Sequence, residues 1–151
     1  MASTDAHARQ QLLDALGDAA DTLGTALAGL GEAYERLDEH AGDRLEETLF
    51  RPVSTAYGRA RRTHTEFAER HGLPVRTFTA GTATHATGPR ELIDRAVGDI
   101  RHADDGLSAL QDSMMPVEYG DAPLRAGISE TRELLGVLPG RARELIRGLG
   151  R

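Results

Sequence analysis

The chain has 151 residues, a net charge of −6, 4% aromatic residues and no cysteine or tryptophan. That length suits one domain, and the missing cysteines exclude disulfides, thiolate metal sites and cysteine nucleophiles together. All 18 basic residues are arginine, so lysine chemistry is excluded as well. Lysine and asparagine both have A-rich codons, and their absence suggests a GC-rich, actinobacterial-type genome.

The first helix is expected over residues 4–41. Leu13, Leu16, Ala20, Leu23, Leu27, Leu30, Tyr34, Leu37 and Ala41 recur at alternating three- and four-residue spacings, the seam of a helix packed against partner helices. At about 1.5 Å per residue such a helix would be about 57 Å long, which implies an elongated molecule. Gly17, Gly24 and Gly31 are seven apart, which predicts a narrow groove where a neighbouring helix comes close.

Asp43 and Glu46 have the spacing of a capping box, so a second helix is expected over 44–71, ended by Gly72-Leu73-Pro74. Pro52 should kink it or divide it. Its inward positions read Leu49, Val53, Tyr57, Ala60, His64, Phe67 and His71. The connection 72–88 is long for a helical bundle, which flags it for function or disorder. The alternation Val75, Thr77, Thr79 would also suit an extended segment lying along the bundle.

Gly88-Pro89 opens a third helix over 89–114 with the seam Ile93, Ala96, Ile100, Ala103, Leu107, Leu110 and Met114. Asp121 is placed to cap a fourth over 122–149, interrupted at Leu138-Pro139-Gly140. Residues 1–151 therefore read as one all-α domain. The economical arrangement is an elongated, antiparallel, up-down-up-down four-helix bundle with left-handed, coiled-coil-like packing.

Candidate sites are few. A di-iron bundle needs Glu-x-x-His on two helices, and Asp99-Ile100-Arg101-His102 is only its nearest approach. No phosphate-cradling loop, zinc motif or nucleophile elbow occurs. His64 and His71 lie on the apolar face of the second helix. With His85 on the long connection and a carboxylate they would form any ligand or metal site; otherwise they are structural histidines. Arg51, Arg59, Arg61 and Arg62 form the one local basic cluster, either an anion or partner site or a solvated face paired with the acids of the first helix.

Tyr34-Glu35-Arg36-Leu37-Asp38 fits the loose Tyr-x-x-x-Asp pattern and resembles the export signal of type VII secretion substrates. In that family the signal follows the second helix of a hairpin; here it lies in the first, and no Trp-x-Gly turn accompanies it.

The sequence thus supports a non-enzymatic interaction or scaffolding bundle that docks a protein partner or forms a homodimer. A ligand- or metal-binding bundle using the interior histidines is the alternative, and a type VII-like secreted helical protein the third reading. No cofactor is expected. The acidic charge argues against nucleic acid, no run is long enough to span a bilayer, and no signal peptide opens the chain, so a cytoplasmic protein is expected.

Overall fold

The computed structural model describes residues 2–79, 81–82 and 88–149. Among these residues every regular element is helical and no strand occurs. The order is α1 (Ala2–Arg36), α2 (Glu39–Leu45), a π-helical turn (Glu46–Phe50), α3 (Arg51–Arg70), α4 (Pro89–Asp112), α5 (Met115–Glu118), α6 (Ala122–Gly136) and α7 (Leu138–Leu149). None of these helices is long and apolar enough to cross a membrane.

The first helix stops five residues short of the expected Ala41. Asp38 takes an extended conformation and its carboxylate accepts the Ala41 N–H at 2.8 Å, which starts α2. The apolar spacing runs on through Leu37 and Ala41, so periodicity hides the break. Asp43 and Glu46, read as a capping box, instead lie beyond the true cap. As expected, the second helix is divided at Pro52: a short π-helical turn precedes it, and the main helix α3 begins at Arg51 with Pro52 in its first turn. This proline has no N–H for the preceding turn and its ring crowds the carbonyl four residues back. The turn just before it widens, with the Arg51 N–H bonded to the Glu46 carbonyl, and joins α2 to α3.

The caps of the last helices are as read. Asp121 accepts the Leu124 N–H at 2.9 Å, and the helical run breaks between Gly136 and Leu138.

Buried side chains from α1, α2, the π-turn, α3, α4, α6 and α7 form one core cluster. α1 buries two stripes. Leu13, Leu16, Ala20, Leu23 and Leu30 are the expected seam, and Leu12, Ala19, Ala26 and Ala33 form a second. Two stripes are needed because α1 packs on both α3 and α4. Of the expected seam only Tyr34 is substantially open, at 42% exposure, among its large hydrophobic members.

Contacts fix the chain directions. A Cβ at Gly29 would lie 3.7 Å from the Leu92 carbonyl oxygen, while Ala19 and Thr22 share a cavity wall with His102 and Ala103. α1 and α4 therefore run antiparallel. Gly24 faces Tyr57 and Gly31 faces Phe50, so α1 and α3 are antiparallel too. Pairs Arg70–Asp121 and Arg59–Glu130 set α6 antiparallel to α3.

It follows that α3 and α4 point the same way, and the expected up-down-up-down alternation does not hold between them. The reason is the connection after α3. Arg76 reaches Asp14, Asp18 and Asp21, and Gly81 lies against the Gly24 backbone, so the segment climbs lengthwise along α1. At about 3.3 Å per extended residue, ten residues cover the roughly 30 Å length of α3.

Candidate functional site

His64 is set on the inner face of α3 by its spacing from Ala60 and Phe67. It is 1% exposed. The climbing segment roofs it: the Phe78 ring stands perpendicular to the imidazole with centroids 5.3 Å apart. Arg76, from the same segment, bonds Asp18 at 3.2 Å and Asp21 at 2.9 Å, with Asp14 at 3.8 Å.

Two glycines make room for this roof. A Cβ on Gly17 would fall 2.5 Å from Cζ of Arg76, and one on Gly81 would fall 2.6 Å from the Gly24 carbonyl oxygen. The groove predicted from Gly17, Gly24 and Gly31 is real, but at Gly17 and Gly24 its occupant includes the irregular segment that carries Arg76 and Gly81, not only a helix. The Tyr57 ring of α3 completes it at Gly24, 3.4 Å from a built Cβ.

Burial pushes the His64 imidazole below its ordinary pKa, and the Arg76 charge adds to this, against Asp14 and Asp21. Nδ1 of His64 is buried and has no hydrogen-bond partner among the described residues. His64 is therefore held neutral and closed in.

His71 belongs to a different cluster. Its Nε2 lies 3.1 Å from Oδ2 of Asp121, and Arg70 donates to both oxygens of the same carboxylate at 2.9 Å. Burial opposes ionisation of Asp121, but the bonds from Arg70, the Leu124 N–H and His71 outweigh it and hold the carboxyl at about 2. This cluster ties the end of α3 to the start of α6.

The two histidines thus have separate partners, and His85 lies outside the described residues. Among the described residues no group of three or more His, Asp or Glu side chains is placed to hold a metal. At the near match to a di-iron motif, burial raises the Asp99 pKa against the pull of His102, and His102 itself is exposed.

The four clustered arginines diverge. Arg59 pairs with Glu130 of α6 and donates to Thr63 Oγ1 at 3.2 Å. Arg61 lies over the Tyr57 ring at 5.2 Å and the Phe78 ring at 5.8 Å. Arg51 borders a surface hollow with Glu130 and Glu133, and Arg62 borders another with Glu66 and Glu69. The acids of α1 are met by Arg76, which sequence reasoning left on an unassigned connection.

The Tyr34–Asp38 pattern spans the helix break, with Tyr34 in the last turn of α1 and Asp38 capping α2. A surface hollow of about 690 Å³ lies beside this break and the start of α4, and its lining mixes Arg44 and Arg90 with Asp38 and Asp94. No family model matches the chain, and neither a curated protein nor a solved structure matches it.

Proposed function

We propose that this protein is a non-enzymatic interaction module that works by docking a protein partner or a second copy of itself. In this reading its long helices form a four-helix bundle with left-handed packing and one lengthwise crossover. The observation that supports it is the closure of the polar interior at His64. A binding bundle would present that imidazole to a cavity with polar companions. Here it faces a phenylalanine ring, and its Nδ1 has no hydrogen-bond partner among the described residues. Thr63 and Thr131, the other buried polar residues among those described, bond the carbonyls of Arg59 and Gly127 one turn back. Specific recognition is then left to the surface.

Native mass spectrometry of protein purified without chelators or added metal tests this. The expected species carry no stoichiometric small adduct and include a dimer or a polypeptide complex. A stoichiometric metal or small molecule that disappears in His64→Leu would overturn the module reading.

A further inference from the structure

The Tyr34 side chain does not lie idle on the surface. Its ring packs over Gly42 of α2, where an added Cβ would come within 3.2 Å of Cε2. On its other side a groove of about 310 Å³ opens, lined by Gly31, Tyr34, Glu35, Glu46 and Phe50. Gly31 keeps the floor low, with Phe50 4.0 Å from a built Cβ. Phe50 ends the π-helical turn and Glu46 begins it. π-turns of this kind occur frequently at functional sites.

Two aromatic rings and two carboxylates with no cation in the lining make a receptor for a positive charge on an apolar stem. Neither Glu35 nor Glu46 forms an ion pair with a described residue, while neighbouring Arg36 is turned to Glu32 at 2.9 Å. The surrounding stretch from Glu32 to Glu47 carries seven acids and two arginines, the most acidic part of the chain. A planar guanidinium suits such a site best, since it stacks on rings and donates N–H bonds from its edge to carboxylates.

We propose that the groove between Tyr34 and Phe50 takes an arginine side chain from a basic segment of a partner protein. A free small cation is the poorer occupant. At an exposed site a cation–π contact contributes only about two- to fivefold in affinity, so the contact needs a tethered ligand with neighbouring charges. The inference rests on the reading of the chain as an interaction module, and names the chemistry of its partner.

The test is amide-resolved NMR titration of the full chain with an acetylated, amidated hexa-arginine peptide, beside the matched hexa-lysine peptide. Saturable shifts centred on Gly31, Tyr34, Glu35, Glu46 and Phe50 are expected, with the arginine peptide binding more tightly. Glu35→Gln combined with Glu46→Gln should weaken it about tenfold at low salt. Tyr34→Leu, which keeps cover over Gly42 but removes the ring, should weaken it about threefold and abolish the preference over lysine.

Shifts spread over all acids from Glu32 to Glu47 and insensitive to Tyr34→Leu would mean diffuse charge attraction and overturn the proposal. Groove shifts produced by protein concentration alone would assign the groove to a second copy and overturn it too, as would the lack of saturable binding. A metal or ligand adduct at His64 would sink the module reading instead, without moving these signals.

Discussion

His64 costs stability that a hydrocarbon would not. An orphaned buried polar atom carries a penalty of about 1–3 kcal/mol, so His64→Leu should raise stability by about 1 kcal/mol at pH 7 in chemical denaturation. The pH dependence follows from the lowered imidazole pKa. Neutral His64 is tolerated in both states at high pH. Below about pH 6.5 the unfolded chain takes up a proton that the folded chain resists, so stability falls as pH falls from there toward the folded pKa. Denaturation midpoints from pH 7 to 5 should decline in the native protein and flatten in His64→Leu; parallel slopes would refute the assignment. Met114 is a second local strain, a non-glycine residue with φ of 64° just after α4. Glycine adopts that conformation freely, and Met114→Gly should stabilise by about 0.5–1 kcal/mol, read as a higher thermal midpoint.

Between elements, two contacts decide whether α3 and α6 can pack as they do. A Cβ on Gly127 would stand 2.1 Å from Thr63 Oγ1 and 2.6 Å from its Cγ2. Both residues are buried, so neither can yield cheaply. Gly127→Ala should cost about 2 kcal/mol by overpacking, and adding Thr63→Ala, which deletes the two nearest atoms and leaves only the Thr63 Cβ at 2.9 Å, should recover part of the loss. A double-mutant cycle measures this coupling directly. At the far end of the same pair, Asp121 caps α6 while binding Arg70 and His71. Its carboxyl pKa of about 2 lies below the ordinary 3.8, so its contribution is complete above pH 3.8 and fades as pH falls toward 2. Asp121→Asn keeps a capping oxygen but should remove that acid limb, visible as a shallower loss of stability between pH 4 and 2.

For the molecule as a whole, the lengthwise connection is the feature on which the topology depends. Its anchor at Arg76 is electrostatic and partly solvated, with three aspartates each more than half exposed, so salt screens it and it contributes no more than about 1 kcal/mol. Packing of Phe78 and the closeness of Gly81 to Gly24 do the rest. The chain directions can be checked because no native thiol interferes. Cysteines replacing Asp18 and His102, which border one hollow, should be joined rapidly by a short bis-maleimide. Asp18 paired with a cysteine at Arg90 should not react, since Arg90 belongs to the opposite end of α4; the reverse result would restore the alternating order.

Local rules carried the sequence reading a long way. The helices, the Asp121 cap, the break before Leu138, the buried seam of α1 and the inward placing of His64 were all legible, because periodicity and capping act within a few residues. The same rules misplaced the end of α1, since the apolar spacing continues through Leu37 and Ala41 while a single Asp38 hydrogen bond restarts the helix. They offered Val75, Thr77 and Thr79 as an extended segment along the bundle, but left the partners of Arg76 and Phe78 and the direction of that segment undefined. Which way a long connection runs depends on what it meets: three aspartates and two glycines on a helix more than fifty residues earlier. Sequence therefore determined the helical class and the inner faces. Tertiary structure alone decided the direction of α4, the occupant of the glycine groove and the sealing of His64, because each depends on contacts between residues far apart in the chain.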